Sequence, residues 1–225
     1  MFWNKKPPVE TCGHALYEAL AKAFTQKGRI HVEDLISAAA AIVGEACISA
    51  AGDFDPLNHS FPPGQRVFST KANELISGDK QEVAESPPES VVGILYNKLL
   101  VCGFSKADFP ALKEIYAFFP ANVGKPEDWG KIPLSVSKDN HPFIMPLQAA
   151  YEMRATTNKI FTPLADNRQK LQAATLAMVE ALCKTRDVLE RRTAISLAIE
   201  TVNGMAKTAP MTDAAMAKLK SGQKA

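Results

Sequence analysis

From Leu164 to Asn203 the chain runs without a glycine or a proline, the two residues that most readily stop a helix. Leu171, Met178, Leu182, Leu189, Ile199 and Val202 fall near one stripe at helical spacing. The pattern predicts a long C-terminal helix of about 40 residues, which at about 1.5 Å per residue would extend about 60 Å. A domain of 24.4 kDa is narrower than that. Such a helix must therefore bend or offer its surface to a partner. Lys184, Arg186, Asp187, Glu190, Arg191 and Arg192 crowd its middle, and Asp187 with Arg191 makes a favourable i,i+4 pair, so this cluster reads as a solvated face. Exposed apolar stripes are rare on monomers, so the expectation is self-association, or a protein partner, through this helix.

The remaining periodic segments are helical too. Ala15, Leu16, Ala19, Leu20, Ala23 and Phe24 share a face, with Gly28 as the expected stop. His31 to Ala51 is apolar on most sides, and only the line Asp34, Ala38, Ala41, Glu45, Ser49 offers a thin edge, expected to be solvated. This run is interrupted by Glu45 and short of a spanning length, so it reads as a core helix and no transmembrane segment is expected. Ser69 or Thr70 should cap a short helix ending at Gly78. Ser86-Pro87 with Glu89 resembles a capping box for the next, and Asp108 precedes another that Pro120 ends. Helix returns from Pro146, with a fresh start at Thr162-Pro163. The fold predicted is all-α: a globular bundle of six to eight helices with two long ordered loops, 52–69 and 120–142. Residues 1–208 form the domain, with a polar sub-boundary near 79–86. Residues 209–225 form a short Thr212-capped helix and a loose basic tail.

Charge excludes little but does exclude something. With 26 basic and 24 acidic residues, interspersed, no basic face exists to read nucleic acid. The opening MFWNKKPPVE lacks the apolar core of a secretory signal. Cys12, Cys47, Cys102 and Cys183 form no C-x-x-C pair, and three have apolar neighbours. They read as core thiols in a reducing, cytoplasmic setting, although four cysteines can also pair.

Chemistry-bearing residues concentrate in the two loops. Ala51 to Ser69 packs two aspartates, a histidine, an arginine and three prolines into nineteen residues. Its Phe54, Phe61 and Phe68 should pin it to the core, and Asp55-Pro56 and Pro63-Gly64 are turn formers. In the second loop Trp129 is the expected anchor, with a short strand at Ile132 to Val136. A ligand pocket between the loops would use Asp53, Asp55, His59, Arg66 and His141, with Arg66 pairing to Asp53 or Asp55.

Specific motifs fail their tests. Neither Glu-x-x-His nor His-Glu-x-x-His occurs, so no metal site is expected, and no cofactor. Gly103-Phe104-Ser105 follows a helix where a nucleophile elbow needs a strand, and Ser135–Lys138 lacks the partner motifs of serine acyl-enzymes. No phosphate-cradling glycine loop is present. The sequence therefore favours a non-enzymatic protein-binding function. The alternative is an enzyme or small-ligand binder with its pocket between the loops.

Overall fold

Alanine lets one helix sit at the centre of this protein. The computed structural model describes residues 8–62, 64–123 and 131–220, and in it α2 (Val32–Ala51) packs against α1 (Pro8–Ala23), α3 (Thr70–Ser77), α6 (Pro146–Ile160), α7 (Asn167–Thr185) and α8 (Arg191–Met205). Ala38, Ala39, Ala40 and Ala41 are all essentially inaccessible, so neighbouring backbones approach closely. Gly44 carries this furthest: an added Cβ would stand 2.9 Å from the Ala206 nitrogen and 3.0 Å from the Val202 carbonyl on α8. His31 caps α2, its Nδ1 accepting from the Asp34 amide, and Gly52 ends it in the left-handed region at φ 70°. This is the described helix long and apolar enough to cross a membrane, and 72% of that span is buried inside the fold.

The all-α class stands, completed by α4 (Val91–Val101), α5 (Leu112–Asn122) and α9 (Asp213–Lys220). The expected long helix does not form as one. α7 stops at Thr185 and α8 starts at Arg191, without glycine or proline between them. Glu190 makes the break by capping α8, its carboxylate accepting from the amides of Arg192 (3.0 Å) and Thr193 (2.6 Å). Those bonds, the Thr193 contact foremost, hold the Glu190 carboxyl below its usual range. The corner is fastened to the end of α4: Arg186 donates to the Cys102 carbonyl (2.7 Å) and Arg191 to the Gly103 carbonyl (3.0 Å). Two cations thus satisfy orphan carbonyls at a helix C-terminus. Asp187 and Arg191 do pair, at 3.6 Å, but across the corner. With the stretch folded back, Leu171, Met178, Leu182, Ile199 and Val202 are buried in the protein's own core.

The same corner corrects the cysteine reading. Cys102 and Cys183 form a disulfide that ties α4 to α7. Their sequence neighbours are apolar, but what decides pairing is the packing of two helices 81 residues apart. Cys12 and Cys47 are buried free thiols.

Other boundaries move by local chemistry. α1 ends at Ala23, and Gly28 turns a two-stranded hairpin, β1 (Thr25–Gln26) against β2 (Arg29–Ile30). Lys27 and Gly28 are both left-handed there (φ 50° and 76°), the geometry of a two-residue hairpin turn. α4 is capped by Ser90, whose hydroxyl accepts from the Gly93 amide at 3.1 Å, instead of by Ser86. α7 starts after Asp166, which caps Gln169, and not at Thr162-Pro163. The polar 79–86 segment carries a 3-10 turn that buries Val83. Residues 132–136 form no strand, and Ser135 there donates through its amide (2.7 Å) and hydroxyl to the buried Glu200 on α8. Trp129 lies outside the described residues.

The edge of α2 expected to face solvent is buried at Asp34, Ala38 and Ala41 and partly covered at Glu45 and Ser49. Asp34 accepts from the Ile144 amide at 3.0 Å, and Glu45 faces α6. Covering those carboxylates requires partners, and α6 with the segment before it supplies them.

Candidate functional site

The site grows from two helix faces. On α2, Ile42, Glu45, Ala46 and Ser49 follow i, i+3, i+4, i+7; on α6, Ala150, Arg154, Thr157 and Asn158 follow i, i+4, i+7, i+8. Each spacing gathers its residues on one side of its helix, and the two sides face a shared cleft of about 230 Å³. Asn167 and Lys170 from the start of α7 and Asp55 to Leu57 from the first loop close it.

Arg154 is its centre. Its Nη2 donates to Glu45 Oε1 at 2.9 Å and its Nη1 to the Met211 carbonyl at 2.5 Å, while the guanidinium lies 5.3 Å from the Tyr151 ring centre. Only 13% of the Arg154 side chain and 15% of Glu45 is exposed, so the pair is largely withdrawn from water. Burial pushes the Glu45 carboxyl above its usual range, and Arg154 works against that rise. Two of the lining residues each hold a polar atom, Arg154 Nε and Thr157 Oγ1, that is buried without a hydrogen-bond partner among the described residues. Orphaned buried polar atoms are uncommon, and two in one cleft call for a physical reason.

Past Arg154 the cleft continues as a groove of about 600 Å³ along His59, Tyr151, Asn158 and the start of α9. Tyr151 donates there to Asp213 at 3.1 Å. His59 is held edge-on to Phe54 and tilted against Phe61. Its Nε2 donates to the Pro210 carbonyl at 3.2 Å, and its Nδ1 is buried without a partner among the described residues.

The five residues singled out in the sequence therefore divide. Asp55 lines the cleft and turns the loop, accepting from the Leu57 amide at 2.9 Å. His59 lines the groove beside it. Asp53 faces away: Ser69, which also caps α3, and Lys71 at 3.4 Å lower its carboxyl below the usual range, Ser69 being the larger influence. Arg66 does not form the expected ion pair with Asp53 or Asp55. It donates to Thr208 and to the Lys131 carbonyl at 3.0 Å, with its guanidinium 5.3 Å from the centre of the Phe119 ring. His141 bonds the Val136 carbonyl at 3.1 Å and lines a different cavity, so the two histidines do not share one.

Phe61 is half-buried, whereas Phe68 is 73% exposed and does not anchor the loop. Backbone does that work: Gly64 and Val67 donate to the Ala209 and Lys207 carbonyls (3.1 and 2.9 Å), and Ala209 donates back to Gln65 (2.7 Å). Sequence reasoning missed Arg154 and Thr157 and misplaced Glu45. The available signal was a glutamate in the apolar second half of α2, away from the acidic first turn of Glu33 and Asp34, and the single arginine of α6. Comparison of the chain with known protein families, curated proteins and solved structures returns no match.

Proposed function

We propose that this protein binds a small carboxylate-bearing metabolite with a second polar group, seated against Arg154 in the cleft between α2 and α6. The observation that carries this reading is the convergence of Arg154, Lys170, Glu45 and Asp55 on one concave site, where Arg154 and Thr157 each also hold a buried polar atom without a partner among the described residues. A largely preformed cleft with a few convergent polar groups is what a small polar ligand requires. Arg154 and Lys170 supply positive charge, Glu45 and Asp55 negative charge, so a compact molecule bearing both signs balances the cleft. Ile42, Leu57 and Phe161 cover its apolar part. Glu45, already inclined to take a proton, can yield Arg154 to an incoming carboxylate. This is a binding function, in keeping with the incomplete catalytic constellations of the sequence. Association through residues 164–203 ranks below it, because the stripe it needed is spent in the core.

The test is thermal denaturation of the protein against a panel of small carboxylates, amines and amino acids. Carboxylates or zwitterions should raise the midpoint, and Lys170→Gln should weaken the response. A panel in which no carboxylate acts, or in which Lys170→Gln responds as the parent does, overturns the reading.

A further inference from the structure

On the far side of the α8 C-terminus lies a second cavity, of about 330 Å³, walled by Phe68, Tyr116, Phe119 and Pro120. Lys207 reaches into it from just beyond α8. Its amine donates to Asn203 one turn earlier and lies 5.5 Å and 5.6 Å from the Tyr116 and Phe119 ring centres. None of the described carboxylates forms an ion pair with it. Burial without an ion pair disfavours the charge on this amine, while the two ring faces at cation–π distance work the other way. We propose that Lys207 is a covalent capture site for aldehydes whose body is aromatic or apolar, held by the ring walls of this cavity.

The chemistry closes without a further reactant. The neutral Nζ lone pair attacks the aldehyde carbon, the carbonyl π pair moves to oxygen, and a proton passes from nitrogen to that oxygen to give the carbinolamine. Loss of water leaves the imine, so amine plus aldehyde gives imine plus one water, with no redox change. Burial lowers Lys207 to about 8, against a smaller opposing influence of Asp79 on the rim. At pH 8 its neutral fraction then exceeds that of an ordinary lysine by on the order of a hundredfold. The other groups facing it are Tyr116, whose hydroxyl donates to Ser77 at 2.5 Å, and Arg66, whose guanidinium also lies near the Phe119 ring.

The experiment uses the intact protein with benzaldehyde and cyanoborohydride at a series of pH values, followed by peptide mass spectrometry. Lys207 should carry the benzyl group at least tenfold faster than Lys71, which is the more exposed of the two, with a pH midpoint near 8. Lys207→Arg should lose this selective adduct, and Tyr116→Ala should reduce the advantage by opening the wall. Because Lys207 and Lys71 compete within the folded parent protein, their ratio there decides the matter even if a variant fails to fold. Labelling that simply follows exposure, or a Lys207 rate indistinguishable from Lys71, overturns the proposal.

Discussion

Replacing Thr157 by valine separates a residue kept for folding from one kept for a ligand. Thr157 is 7% exposed, and its hydroxyl has no partner among the described residues. Both side chains are β-branched, so helix propensity and side-chain entropy change little. An orphaned buried hydroxyl costs about 1–3 kcal/mol, and the methyl that replaces it adds apolar burial worth about 0.8 kcal/mol. Water entering the cleft offsets part of this, leaving an expected stabilisation of about 1–2 kcal/mol. For a chain of this size that is a rise of about 2–8 °C in the melting midpoint. Calorimetry and urea unfolding measure it directly. The same variant should weaken a ligand that uses the hydroxyl by about tenfold, or roughly 1.4 kcal/mol. A more stable protein with a poorer ligand response is the signature of a functional group. Destabilisation by about 1 kcal/mol or more would show that the hydroxyl is bonded in the folded chain, and the argument from orphaned atoms would fail.

Glu45 should impose a pH dependence of opposite sense to an ordinary paired carboxylate. Its folded value lies above the usual 4.5, so the native state holds the extra proton, and stability falls as pH rises from about 4.5 through that raised value. Glu45→Gln should remove that part of the slope, and identical pH–stability curves for the two proteins would contradict it. Thiol counting tests the disulfide: unfolding without reductant should expose two reactive thiols, Cys12 and Cys47, and four with reductant. Opening the bond should cost about 2–4 kcal/mol in denaturant melts, whereas four thiols without reductant would deny that it forms. Gly44→Ala should cost at least about 3 kcal/mol, because its Cβ meets Ala206 and Val202 backbone atoms, and a neutral result would mean that α2 and α8 are further apart. Phe68→Ala should change stability by no more than about 0.5 kcal/mol, given its exposure, and a larger loss would place the ring inside.

Helix identity was legible because periodicity and burial agree. Leu16 and Leu20 of α1, Leu95 and Leu99 of α4, and Leu171, Met178 and Leu182 of α7 are apolar in the sequence and buried in the fold. Breaks were legible where backbone conformation demands glycine, as at Gly52 and Gly78, both left-handed. The α7–α8 corner was not. Its cap is a glutamate, a residue equally at home inside a helix, and its fasteners are carbonyls of Cys102 and Gly103 more than 80 residues away. The candidate site hid for a related reason. Glu45 reads as an exposed residue until Arg154, 109 positions later, is known to face it. Loop residues were judged by composition, which finds Asp55 and His59 at the groove but cannot separate them from Asp53, a partner of Ser69 and Lys71.

The central position of α2 sets a problem of timing. Its main covers, α7 and α8, are encoded more than 115 residues downstream, so a ribosome delivers the most apolar helix long before the surfaces that shelter it. At roughly 5–20 residues per second the interval lasts about 6–25 seconds, during which a helix of membrane-spanning length and apolarity is only partly dressed by α1 and α3. Folding must wait for contacts of large sequence separation, which slows it and prolongs that exposure. A truncated chain ending before α7 should consequently aggregate or engage chaperones, because α2 closes only when α7 and α8 arrive.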